Sequence, residues 1–334
     1  MTRPTYWRPI AETDAHRPKD ALPLAGGQSW FARAERLSRD APPELVPLSE
    51  VPTGVLEAIT APRPPIAGLD FDRPRLMAVL NVTPDSFSDG GNFDTFAAAT
   101  AQAQALIAQG ADILDIGGES TRPGAETVAG GVEISRVLPV IEAALQAAPV
   151  PISIDTRKAG VAAAALAAGA VLVNDVSALT HDPGMAALIA GHGAPVCLMH
   201  SRGDPKTMQD APSYDNVLLD VFDDLEASIA TAIAAGIPRR RIMVDPGIGF
   251  AKNQDHNLAL IRGLSLLHGL GCAIILGVSR KGFIGRIGQE PQAKFRAPGS
   301  IALGLEGIRQ GVQLLRVHDI AETRQAIALW QAAR

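Results

Sequence analysis

The chain has 334 residues, 47% hydrophobic and 19% charged, with a formal net charge of −5. That is enough apolar material for a large core and excludes overall disorder, and an acidic balance argues against a nucleic-acid groove while leaving room for a local basic pocket. No uninterrupted apolar stretch reaches the roughly 18 residues that a membrane helix needs, and the start MTRPTYWRPIAETDAHRPKD lacks the apolar segment of a secretory signal, so a soluble cytoplasmic protein is expected. Cys197 and Cys272 each sit in an apolar run, which predicts buried packing thiols with neither a disulfide nor metal-ligand spacing.

In chain order, residues 1–74 stand apart, with PP at 42 and PRPP at 62 among several charges and scattered apolar residues. They are expected to form an N-terminal extension of a few short elements that adds to an interface or covers the floor of the main domain. From residue 75 to 334 a rhythm takes over. Short β-branched runs predict strands at 76–82, 112–117, 151–155, 171–176, 195–200, 242–247, 273–279 and 313–319. Between and after them, helical spacing predicts helices at 95–109, 133–147, 158–168, 183–191, 215–235, 255–268, 299–310 and 320–333. Gly110, Gly169, Gly236 and Gly311 fall where helix C-caps are wanted. Eight strand–helix repeats over this length predict an α/β fold, a TIM (β/α)8 barrel with the N-terminal extension. A doubly wound open sheet is the alternative. The barrel is favoured because no GxGxxG follows the first strand and nearly every strand ends in a polar group: Asn81, Asp115, Asp155, Asn174, His200, Asp245, Ser279, and Arg316 with His318. Only a barrel brings all eight C-terminal ends to one mouth.

Asp155, Asn174 and Asp245 at that mouth want partners, because buried carboxylates and amides are costly alone. A flat heterocycle with N–H, NH2 and amide edges would satisfy them. The plainer alternative is that they pair with Lys or Arg inside the barrel. Arg316 and His318, two apart on the last strand, share a face. With Lys281 in SRKG, Arg122 in ESTRPGA, Asn81 and the Thr121 hydroxyl they make a candidate phosphate or diphosphate site. Two long loops, NVTPDSFSDGGNFD and GGESTRPGAETVAGG, carry Asp85, Asp89, Glu119, Arg122 and Phe87, and suit lids that close over a substrate.

NVTPDSFSDGG, DIGGESTRPGA, SIDT, VND, LMH, PKTMQ, DPGIGF, GVSRK and RVHD occur in that order. The series resembles that of the dihydropteroate synthase family from about residue 75 to 331. The resemblance implies a TIM barrel that condenses (7,8-dihydropterin-6-yl)methyl diphosphate with 4-aminobenzoate in folate biosynthesis, a transfer of an alkyl group other than methyl. It implies a pterin held by Asp155, Asn174, Asp245, Lys281 and Met199. It places the diphosphate on Asn81, Thr121, Arg122, Arg316 and His318, and 4-aminobenzoate near Phe87, Thr121, Pro123, Phe250, Lys281 and Gly282. Mg²⁺, which takes oxygen ligands, is expected on Asn81 and Asp89. Asp155, Lys281, Arg122 and Asp245 are the expected catalytic residues. The chemistry implied is a dissociative substitution, since neither a reactive Cys nor GxSxG supplies a nucleophile. A homodimer touching through its last helices is also implied, with no nucleic-acid or membrane partner. The family commonly has Ser where Gly282 stands, and loss of that hydroxyl is expected to weaken 4-aminobenzoate or sulfonamide binding by about 1 kcal/mol. Ser201 after LMH is a minor departure, and KNQDHN (252–257) is given no functional weight. Two other functions share parts of this pattern: a pterin-binding methyltransferase that passes a methyl group from a folate to a corrinoid, which needs neither the diphosphate cluster nor the STRPGA loop, and a catalytically silent pterin-binding barrel.

Overall fold

The computed structural model describes residues 4–83, 92–120, 127–203 and 208–334, the side chains of 92–95 aside. Eight parallel strands close a barrel: β6 (Arg75–Asn81), β7 (Ile113–Gly117), β8 (Ile152–Asp155), β9 (Leu172–Asp175), β10 (Val196–Met199), β11 (Ile242–Asp245), β12 (Ala273–Leu276) and β13 (Leu314–Val317). Between and after them run the helices α2 (Asn92–Ala108), α3 (Gly130–Ala147), α4 (Ala159–Ala167), α5 (Met185–His192), α6 (Val217–Ala234), α7 (Gln254–Arg262), α8 (Gly282–Ile287), α9 (Ala297–Arg309) and α10 (Ile320–Ala332). The expected elements fall in place: β6 is shifted by one residue, and the other seven strands are one to three residues shorter than the apolar runs suggest. Two differences concern β11 to α9. The helix expected over 255–268 ends at Arg262: Gly263 leaves the helix at φ −107° and ψ 12°, in a spot where a Cβ would lie 2.5 Å from Leu218, and a 3-10 helix (Leu264–Leu270) follows. The short α8 is an extra turn after the SRK segment. Gly110, Gly169, Gly236 and Gly311 all take positive φ, as C-cap glycines do.

The period-two alternation of each strand sorts its side chains. Leu76, Ala78 and Leu80 on β6, Leu114 and Ile116 on β7, and Ile152 and Ile154 on β8 face the helices in one core. The alternate residues point into the barrel. At its floor these are apolar: Met77, Ile113, Leu172, Cys197, Met243, Ala273, Ile275 and Leu314. Two residues further along, the same parity brings Val79, Asp115, Asn174, Met199, Asp245 and Arg316 to the upper layer, so the barrel changes from apolar to polar along its axis.

In the extension, β1 (Tyr6–Pro9), β4 (Arg33–Leu37) and β5 (Glu44–Pro47) form an antiparallel sheet, β2 (Leu22–Pro23) and β3 (Trp30–Phe31) a hairpin, and α1 spans Thr53–Thr60. It packs on the outside of the barrel, where Tyr6 and Leu37 join Leu219 and Leu266. Ser265 donates to the Pro9 carbonyl at 2.8 Å, Arg39 pairs with Asp220 at 2.6 Å, and buried Arg63 donates to the His268 carbonyl at 3.1 Å. Ile66 and Leu69 pack against the apolar floor layer and close it from below.

Candidate active site

At the mouth, Arg316 is the hub. Its Nε donates to Asp115 Oδ2 at 2.6 Å and its Nη2 to Asp155 Oδ2 at 2.7 Å. Asn174 Nδ2 donates to the same Asp115 oxygen at 3.0 Å. The contact follows from ladder order: β13 adjoins β6, β6 adjoins β7 and β7 adjoins β8, and Asp155 is in register with Asn174 on β9. Asp115, named from the sequence only as a strand-end polar group, has no role among the expected site residues. Its signal was present, since it lies at the inward parity of β7.

Each carboxylate of this cluster keeps one oxygen in reserve. Asp115 Oδ1 and Asp155 Oδ1 are buried and have no hydrogen-bond partner among the described residues. Such orphans are costly unless a ligand supplies donors. Burial pushes Asp155 up to about 7, an effect that Arg316 opposes and the neighbouring Asp115 reinforces. Burial also raises Asp245, against the 2.7 Å hydrogen bond that its Oδ1 accepts from Gly247 N. Burial alone would lower Arg316, yet Asp115 and Asp155 overcome it and hold the guanidinium firmly charged.

Lys281, at the N-cap of α8, lies with Nζ 4.3 Å from the centre of the Phe250 ring. Gly249 leaves the room for it, because a Cβ there would sit 3.2 Å from Lys281 Cδ. The preceding Arg280 turns away and pairs with Asp319. His318 Nδ1 lies 2.9 Å from Ser279 Oγ. Asn81 ends β6, half-buried, Met199 is buried at the end of β10, and Gly282 is exposed. The structure thus unites Asp155, Asn174 and Arg316 through Asp115, and pairs Phe250 with Lys281. Phe87, Asp89, Thr121, Arg122 and Pro123 lie outside the described residues.

The ion pairing anticipated as the plainer alternative is therefore real for Arg316, which grips two carboxylates of the upper layer. A second correction concerns Lys252. It opens the KNQDHN segment, to which the sequence assigns no functional weight, yet it is only 3% exposed. Its Nζ lies 2.9 Å from His200 Nδ1 and donates to the Phe250 carbonyl at 2.9 Å. The cysteines are free and buried, as expected. Among the described residues, no helix is long and apolar enough to cross a membrane.

Comparison with known proteins adds an independent line. Residues 77–318 match the family described as pterin binding enzyme. The chain is 44% identical over 274 residues to the dihydropteroate synthase of Synechocystis sp., covering 80% of this chain and 95% of that one. It is 45% identical over 257 residues to the dihydropteroate synthase of Bacillus subtilis, covering 77% and 87%. Among solved structures, it resembles Xanthomonas albilineans dihydropteroate synthase with 4-aminobenzoic acid at 46% identity and a TM-score of 0.76, covering 80% of this chain and 96% of that one. The same enzyme in complex with 7,8-dihydropteroate matches at 43% and 0.73, covering 79% and 95%. Yersinia pestis dihydropteroate synthase with a sulfonamide drug complex matches at 44% and 0.76, covering 80% and 96%.

Proposed function

The chain belongs to the dihydropteroate synthase family of pterin-binding enzymes, and from that premise we propose which of its residues carry each part of the reaction. The reaction joins (7,8-dihydropterin-6-yl)methyl diphosphate to 4-aminobenzoate and releases diphosphate. The observation that supports the assignment most is the pair of buried, partnerless oxygens Asp115 Oδ1 and Asp155 Oδ1 beside Asn174. They are acceptors in want of N–H donors, which the amino and ring N–H groups of a pterin supply. In this reading Asp155, Asn174 and Asp245 hold the ring edge, while Met199 and Lys281 pack beside it.

The methylene C–O bond breaks, its electron pair leaves with the diphosphate, and the positive charge spreads into the pterin. Asp155 and Asp245 lie where that charge develops. Asn81, Thr121, Arg122, Arg316 and His318 take the diphosphate. Of these, Arg316 reaches it from within its grip on Asp115 and Asp155. The 4-aminobenzoate nitrogen attacks the methylene, forms the C–N bond and sheds a proton. Phe87, Thr121, Pro123, Phe250, Lys281 and Gly282 line its approach, with Arg122 and Lys281 supplying positive charge.

Mg²⁺ belongs to the same proposal, on Asn81 and Asp89. Among the described residues no three Asp, Glu, His or Cys side chains are placed to hold a metal ion, and the half-buried Asn81 amide offers a single oxygen. That donor set fits an ion held by one or two protein oxygens, phosphate oxygens and water. When bound, it would neutralise charge on the leaving diphosphate. A homodimer through the last helices is also proposed, supported by Leu329 on α10, which is 67% exposed, and a cytoplasmic location goes with it. The test is diphosphate release by the purified chain, given the pterin diphosphate and Mg²⁺, with and without 4-aminobenzoate. Release that depends on 4-aminobenzoate is the expected result; tight pterin binding without release would overturn the catalytic assignment.

A further inference from the structure

The segment from Asp245 to Asn253 leaves β11 and forms the wall against which Lys281 lies, through Gly249 and Phe250. Its backbone is demanding. Gly247, Gly249 and Ala251 have φ of +67°, +83° and +52°, and an alanine in the left-handed region persists only where its surroundings over-determine it. Three consecutive carbonyls of this segment each receive a side-chain donor. Gln209 donates to Gly249 O at 2.6 Å, Lys252 to Phe250 O at 2.9 Å and Tyr214 to Ala251 O at 2.9 Å.

Lys252 is the unusual member. Its ammonium is buried, and among the described residues no carboxylate pairs with it. Its acceptors are His200 Nδ1 at 2.9 Å, Phe250 O at 2.9 Å and His200 O at 3.5 Å, one for each ammonium N–H. His200 in turn presents Nε2 to Asp224 Oδ2 at 2.9 Å. That places an N–H on Nε2 and leaves Nδ1 as the acceptor for lysine. Burial draws Lys252 down to about 7, and it draws His200 down to about 4, so the imidazole is neutral. Asp245 and Asp224 favour the cation without pairing with it, and it remains expensive in a place where an apolar side chain would pack. What it secures is the carbonyl of the residue whose ring meets Lys281.

We infer that Lys252, held by His200, is a positioning residue for the reaction: it fixes the 246–253 turn so that the Phe250 ring stays against Lys281 on the 4-aminobenzoate side of the site. The inference rests on the proposed assignment of Phe250 and Lys281 to that substrate.

The test uses the full chain and two readouts: amide hydrogen exchange within 247–253, and the KM for each substrate. Loss of the Lys252 hydrogen bonds in Lys252→Met should speed exchange of those amides and raise the KM for 4-aminobenzoate by about tenfold each. The KM for the pterin diphosphate should stay within about twofold, because the lesion is confined to one wall of the site. His200→Asn keeps an acceptor near the Nδ1 position and should behave as wild type, whereas His200→Leu should loosen the turn as Lys252→Met does. That pair decides the matter if Lys252→Met does not fold. Unchanged exchange in 247–253, or protection lost throughout the barrel with both KM values rising alike, would overturn the inference. Absence of turnover in the wild type would instead sink the assignment of substrates, and the exchange data would still decide whether Lys252 holds the turn.

Discussion

Replacing Arg316 with Met keeps an unbranched apolar stem but removes the cation that grips Asp115 and Asp155. Both carboxylates are buried, and the Arg316 side chain is 23% exposed. Breaking a buried pair while leaving its partners behind costs about 3–5 kcal/mol. Asp155 can escape part of this by holding a proton. In the wild type its carboxyl titrates at about 7, raised by burial and held back by Arg316. Without the arginine it titrates higher still. The sign follows from proton counting. Above pH 7 the wild-type Asp155 is ionised while the variant's remains protonated, so the folded variant binds more protons. The stability gap between the two proteins must then widen with rising pH, by up to about 1.4 kcal/mol per pH unit. Below about pH 6 both forms are protonated and the gap should be flat. Urea unfolding of both proteins at intervals from pH 5 to 8.5 measures this directly. A gap that is constant across the whole range would refute the idea that Arg316 is spent on Asp155, and would leave it as an ordinary packing residue.

Three further outcomes are expected. Burial holds His268 at about 3, whereas the unfolded chain protonates it near 6.5, so the wild type loses stability as pH falls below 6.5. The difference between His268→Leu and wild type should then shift in favour of the variant by up to about 1.4 kcal/mol per pH unit below 6.5, again read from urea midpoints. Gly282 is open, since a Cβ there would have Arg286 at 3.6 Å as its nearest neighbour, so Gly282→Ser should fit and tighten 4-aminobenzoate by about fivefold, the worth of one added hydrogen bond, measured as its KM. Ile66→Ala, on the floor layer, should cost about 2–4 kcal/mol in unfolding free energy and leave both KM values unchanged, because it lies at the opposite end of the barrel from the site.

The barrel is legible because its signal is repeated. Each strand is a short β-branched run closed by a polar residue, and period-two parity alone tells that Asp115, Asn174 and Arg316 share the interior with the apolar floor. What parity cannot supply is who touches whom. The grip of Arg316 on Asp115 and Asp155 joins residues 201 and 161 positions apart, and it exists only because β13 closes onto β6. Lys252 was hidden for a different reason. From Asn253 onward the segment is what its composition suggests, a capped helix start in which Asn253 accepts from His256 N. Lys252 sits one residue earlier, where the left-handed Ala251 turns the chain inward. The burial of Lys252 thus depends on a turn with three left-handed residues, which composition does not show. The extension was opaque because its strands are two to five residues long, and β1 pairs with β4, across an intervening hairpin.

The upper layer of the barrel also has a polarity that the individual contacts do not convey. Asp115, Asp155 and Asp245 come from β7, β8 and β11, while Arg316 and His318 come from or just after β13. The carboxylates belong to the proposed ring site, Arg316 and His318 belong to the proposed diphosphate site, and Arg316 joins the two. A bond that breaks along that axis sends its electron pair toward Arg316 and leaves its positive charge beside the carboxylates, so the fixed charges are already oriented for the separation. Arg316 and Asp155 make this arrangement adjustable. A carboxyl titrating at about 7 can accept from a ring N–H when ionised or donate to a ring nitrogen when protonated, and the arginine that sets its balance is the one proposed to bind the departing diphosphate. Capture of Arg316 by diphosphate would weaken its hold on Asp155 and raise that carboxyl's affinity for a proton, which couples the occupancy of one half of the site to the hydrogen-bonding character of the other.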